Sequence, residues 1–151
     1  MIVYNLFLLA TFVLAGVSMY ALVRSLTGQA PAALVAGVAF AFYPFRFEHY
    51  GHFELMFCFW IPLVLLALHR TLARGRVRDG VLTGAAFAGQ MFSSMYFGIY
   101  LAAYLVPFWA VAAVGWRRVR RGIVPLVAGA VLAGAVVAPL AIPYVKVRGT
   151  V

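Results

Sequence analysis

Acidic side chains are nearly absent from this 151-residue chain: Glu48, Glu54 and Asp79 are the only three, against 12 Lys and Arg. Charged residues of both signs make up 10% of the chain, where a soluble domain carries about 25%. So few charges cannot cover a water-facing surface, which excludes a soluble enzyme and a disordered tail. The single cysteine, Cys58, excludes an intrachain disulfide and with it a disulfide-rich secreted module. No Ser-His-Asp order, P-loop or dinucleotide fingerprint occurs, so soluble-type nucleophilic catalysis has no support. The arginines lie in short stretches between apolar runs, a topology pattern rather than a nucleic-acid-binding face, and nucleic acid is not an expected partner.

What is present is apolar: 66% of residues, with a mean hydropathy of +1.03. The runs are long and continuous, without the alternation of a β-barrel strand. They predict an all-α integral membrane helical bundle, a single domain over 1–151 with about six transmembrane helices. The expected spans are about 2–23, 31–45, 55–69, 77–92, 98–116 and 123–144. Pro31 suits the first turn of the second helix, and Pro62 reads as a tolerated kink inside the third. The apolar run 81–116 is too long for one crossing, and the small polar cluster Ser93 to Gly98 is the expected break. Gln90 lies inside a span and calls for an interhelical partner. Two rows of small residues, Ala33/Gly37/Ala41 and Ala130/Gly134/Ala138, read as packing faces within one bundle.

Six helices place alternate loops on opposite sides. One set holds Arg24, Arg70, Arg74, Arg76, Arg78, Arg117, Arg118, Arg120 and Arg121; the other holds Arg46, Lys146 and Arg148. Arginine-rich loops stay on the cytoplasmic side, so the segment around Arg46 is expected outside. Met1 is then outside as well, with no signal-peptide pattern, which reads as a fragment lacking an earlier span. The arginine clusters could also meet anionic headgroups, but topology accounts for most of them. Trp60, Trp109 and Trp116 read as aromatic anchors or packing.

The segment Tyr43 to Glu54 holds two of the three carboxylates and, in His49 and His52, two of the three histidines. Ionisable groups at a membrane interface are costly unless they face water or one another. Were the segment helical, Glu48 and His52 would share a face, with His49 and His52 nearly doing so. Two readings stand: a functional pocket, or an ordinary interfacial loop in which Arg46 meets lipid phosphate. Carboxylate and imidazole suit several divalent ions, so a divalent metal ion is an open cofactor question, although the spacing is not that of a zincin. The turn Ser93 to Gly98, with Tyr96, reads first as a tight re-entrant turn whose hydroxyls satisfy freed backbone groups, and otherwise as lining the same cavity.

Together these features form a pattern. Tyr4-Asn5-Leu6, Leu22 to Gly28, Ala36 to Arg46, His49, His52, Trp60-Ile61-Pro62-Leu63, Ser93 to Gly98 and Pro139 to Tyr144 resemble bacterial multi-spanning proteins of the GT-C glycosyltransferase superfamily, including YfhO-like membrane proteins. The resemblance implies a polyprenyl-phosphate sugar donor, transfer on the outer face, and a multi-pass protein of the bacterial inner membrane. It implies a catalytic carboxylate in an outer loop preceding this sequence, and a second acidic motif where Glu48, His49, His52 and Glu54 stand. Glu48 or Glu54 would serve as general base or hold a metal; Arg46 or protonated His52 would stabilise the leaving phosphate; His49 and Tyr96 would contact substrate. The rival readings are a transporter or flippase-like subunit, and a non-catalytic membrane scaffold.

The orientation is directly measurable. With an impermeant thiol reagent on whole cells, Tyr50→Cys is expected to react and Gly75→Cys to stay unlabelled; the reverse pattern contradicts the topology.

Overall fold

A computed structural model describes residues 2–113 and 116–148, the side chains of 109–118 and 140–148 excepted. The chain is 89% helical, with no strand among the described residues. Six long helices and one short one follow in order: α1 Ile2–Thr27, α2 Ala30–Ala41, α3 Pro44–Glu48, α4 Trp60–Arg74, α5 Val77–Ser93, α6 Met95–Ala113 and α7 Trp116–Arg148. A 3-10 turn, Phe53–Met56, lies between α3 and α4. Four helical segments, Ile2–Thr27, Ala30–Glu48, Phe53–Arg74 and Val119–Pro139, are long and apolar enough to cross a bilayer. Large apolar side chains such as Phe7, Val35, Tyr104 and Val124 are exposed along the helices, as lipid-facing positions require.

α1 has 26 residues, about 39 Å at about 1.5 Å per residue, enough for a bilayer core of about 30 Å with some tilt. Its buried stripe is Thr11, Ala15, Ser18 and Leu22, small or polar except at Leu22. The hydroxyls of Thr11 and Ser18 donate to the carbonyls of Leu8 and Ala15, so neither is left unsatisfied. α2 packs against a neighbouring face of α1, at Gly16 and Tyr20, through Ala33, Gly37 and Ala41, the first of the two expected rows. A Cβ on Gly37 would sit 2.8 Å from the Gly16 carbonyl oxygen, so the backbones meet where side chains are missing. The connection turns at Gly28, whose φ of 72° is left-handed.

Several boundaries differ from the sequence expectation. α2 ends at Ala41, capped by Phe42, not at residue 45, because Pro44 disfavours helical geometry at Tyr43, whose ψ is 132°. Pro44 then opens the short α3. α4 begins at Trp60, so Pro62 falls in its first turn and breaks no helical hydrogen bond; it is not a kink. α4 runs on to Arg74, and α7 includes Arg120 and Arg121, because arginine is a good helix former whose stem reaches outward from apolar surroundings. The break in the long apolar run falls where expected but is a single extended residue, Ser94. Trp109 and Trp116 lie outside the described side chains.

α4 and α5 form an antiparallel pair tied at both ends. Thr71 Oγ1 and Thr83 Oγ1 are 3.2 Å apart near the arginine-rich end, and Trp60 Nε1 donates to Ser93 Oγ at 3.0 Å near the other. α7 lies along α5 through Pro125, Gly129 and Ala133, all buried. The expected row Ala130/Gly134/Ala138 is instead exposed, one position round the helix, with Ala130 and Gly134 on the wall of a groove beside α6. A Cβ on Gly84 would overlap the Gly129 backbone, and one on Gly80 would overlap the Pro125 carbonyl.

Gly84→Ala therefore forces two backbones apart, and thermal unfolding in detergent is expected to show a loss of about 1–3 kcal/mol. Gly134→Ala, where a Cβ meets nothing within 4 Å, is expected to stay within about 0.5 kcal/mol of the parent.

Candidate functional site

The polar segment between α2 and α4 folds as a compact hairpin over the first half of α1. Tyr4 donates its hydroxyl to the Tyr50 carbonyl at 3.2 Å, and its ring lies 5.2 Å from that of Phe53. Phe12 on α1 packs on Phe42 and Phe47 at 5.8 and 5.7 Å, and Phe53 meets Phe57 edge-on at 5.1 Å. Aromatic side chains thus form the floor on which the ionisable groups stand.

Arg46 is the anchor. It is only 2% exposed and turns inward from α3, not outward to lipid. Its Nη2 donates to Thr11 Oγ1 at 2.9 Å and to the Met56 carbonyl at 3.3 Å, and its guanidinium carbon stands 4.1 Å above the Phe12 ring centroid. One side chain therefore joins α1, α3 and the entry to α4. Its Nε and Nη1 have no protein partner among the described residues. Both of these atoms are buried.

The other candidates are open. Glu48 is exposed at the last position of α3. The helix ends there, with His49 as its cap, so Glu48 and His52 do not share a helical face. The chain turns through a bond from His52 N–H to the His49 carbonyl at 2.9 Å, since Tyr50 and Gly51 do not continue the helix. His49 is half-buried; its ring stacks on Phe45 at 4.0 Å and its Nδ1 bonds the Phe45 carbonyl at 3.0 Å. Its ring is 6.3 Å from that of His52. His52 Nδ1 lies 3.6 Å from Glu54 Oε1, with the two side chains 67% and 50% exposed. So solvated a pair adds little to stability and remains available to a ligand.

Tyr96 projects from the first turn of α6, 67% exposed, with no hydrogen bond or ring contact to the hairpin among the described residues. The Trp60–Ser93 bond places that turn at the same end of the bundle. No three His, Cys, Asp or Glu side chains are grouped to hold a metal ion among the described residues. His52 and Glu54 supply two donors, short of a complete ion site, and no step is routed through a metal.

Sequence reasoning missed Thr11 as the partner of Arg46, because 35 residues separate them and a lone threonine in an apolar run carries no signal. It also expected a partner for Gln90. That side chain is fully buried in α5, and neither amide atom is bonded among the described residues.

An all-helical bundle in which four segments are long and apolar enough to cross a bilayer defines a multi-pass membrane protein. The chain belongs to the dolichyl-phosphate-mannose-protein mannosyltransferase family, a GT-C-type family of membrane glycosyltransferases, whose defining model matches residues 2–142. No curated protein and no solved structure is significantly similar to it.

Thr11→Val leaves Arg46 another unpaired donor and is expected to cost about 1–2 kcal/mol of thermal stability. Arg46→Ala is expected to raise amide exchange across residues 43–56 while leaving the α5–α7 contact protected, as hydrogen-exchange mass spectrometry would read.

Proposed function

We propose that this chain carries part of the reaction site of a bacterial inner-membrane glycosyltransferase that takes its sugar from a polyprenyl-phosphate donor on the outer face. The observation that supports this reading best is the joining of polar and apolar features at the hairpin. A groove of about 310 Å³ between α1 and α2, lined by Phe12, Gly16, Tyr20, Gly37 and Phe42, ends at Phe12 directly under the Arg46 guanidinium. A prenyl chain suits the groove, and its phosphate would meet the Arg46 cation above Phe12 once that corner opens to expose the buried Nε and Nη1. Membership of the family supports the same class of chemistry.

In this reading the acceptor hydroxyl oxygen attacks the anomeric carbon. The bond from that carbon to the phosphate oxygen breaks, and the phosphate leaves with the electron pair. Glu48 or Glu54 takes the hydroxyl proton, and Arg46 with protonated His52 meets the charge that grows on the phosphate. His49 fixes the hairpin backbone through its bond to Phe45, and Tyr96 offers a hydroxyl from the adjacent turn.

In the full-length protein, Glu48→Gln and Glu54→Gln are each expected to lower sugar transfer from a polyprenyl-phosphate donor at least about tenfold, the scale of one general base. Unchanged turnover in both variants overturns the assignment of these residues.

A further inference from the structure

The opposite end of the bundle carries a second feature that this function does not use. The α4–α5 turn and the first turns of α7 are both arginine-rich, and they touch. Gly75, in left-handed geometry at φ 66°, presents its bare Cα to α7, where a Cβ would lie 3.2 Å from the Arg121 carbonyl oxygen. Pro125 has no N–H to donate to that carbonyl, which leaves it free to face the turn. The contact brings exposed Arg74, Arg76 and Arg78 beside exposed Arg120 and Arg121. No arginine forms an ion pair among the described residues, and Asp79, the only carboxylate at this end, is buried with Oδ2 unpartnered. Two positive segments are therefore held against each other with no arginine–carboxylate ion pair between them among the described residues.

An apolar groove of about 490 Å³ starts within about a turn of these arginines. It runs from Gly80, Leu68 and Leu126 towards Val64, Phe87 and Val137, between α4, α5, α6 and α7. We propose that this end binds an anionic bilayer phospholipid. Its phosphate sits between the α4–α5 turn and the start of α7, and one acyl chain lies in the groove. The headgroup then acts as the missing counter-charge that keeps α7 on the α4–α5 pair. An arginine cluster set only by topology needs neither the contact at Gly75 nor a groove beneath it.

The test uses the purified chain in zwitterionic detergent, with thermal unfolding as readout. Phosphatidylglycerol is expected to raise the midpoint saturably, and phosphatidylcholine and inorganic phosphate are not. The effect should shrink as salt rises from about 50 to about 500 mM. The double variant Arg76→Gln/Arg121→Gln is expected to need at least about tenfold more phosphatidylglycerol for half the effect, whereas Arg76→Lys/Arg121→Lys stays within about threefold. Equal stabilisation by phosphatidylcholine or by inorganic phosphate overturns the proposal, as does a parent-like response of the glutamine variant. Should that variant fail to fold, phosphatidylglycerol retained by the parent in native mass spectrometry and displaced by salt supports the site; none retained overturns it.

Discussion

Hydrocarbon gives two helices no reason to associate, since lipid tails are as apolar as leucine. The bundle depends on what remains: backbones brought into contact through missing side chains, and polar pins that cannot be satisfied by lipid. Gly16 with Gly37 joins α1 to α2, and Gly80 and Gly84 with Pro125 and Gly129 join α5 to α7. The pins stand between these contacts. Arg46 holds Thr11 and the Met56 carbonyl, Trp60 holds Ser93, and Thr71 meets Thr83. Each joins elements that would otherwise present only greasy surfaces to one another.

The same constraint explains the division of the molecule into two ends. Polar groups collect where water or headgroups can reach them: carboxylates and imidazoles in the hairpin at one end, guanidiniums around Gly75 at the other. Between them the buried polar side chains are few. Thr11 and Ser18 return their hydroxyls to their own helix, and Gln90 in α5 has no partner among the described residues. The hairpin holds its charged groups in two conditions. Arg46 is sunk among aromatic rings and fixed, while Glu48, His52 and Glu54 stay in contact with solvent. That pairing of a fixed cation with free acid–base groups is what a transferase acting on a lipid phosphate would need.

Much of the architecture was legible from the sequence because bilayer thickness is a strong ruler. The helical class follows from apolar run length and the break near Ser93 from the small polar cluster there; about six spans were expected, and four segments among the described residues are long and apolar enough to cross. The boundaries were less legible. Arginines in the last turn of α4 and the first turns of α7 look like loop by composition, yet their stems let the helix continue. Pro62 reads as a kink until the start of α4 is known, after which it is an unstrained first-turn residue. The site was half legible. Clustered ionisable residues marked the hairpin, but a helical reading put Glu48 and His52 together, whereas the turn at Tyr50 and Gly51 separates them. The inward turn of Arg46 was hidden because it depends on Thr11, far away in the chain, and on the bend that Pro44 imposes.

The glycine contact between α5 and α7 also bears on how the protein is made. α6 lies between them in the sequence and touches α7 only lightly, so the tightest helix pair in the bundle skips a neighbour. During synthesis α5 must wait in the bilayer, its notch at Gly80 and Gly84 filled by lipid or by an insertion factor, until more than thirty further residues have emerged. α7, made after α6, thus closes the seam that α5 leaves open, and a nascent chain stalled before it would hold that seam unfilled.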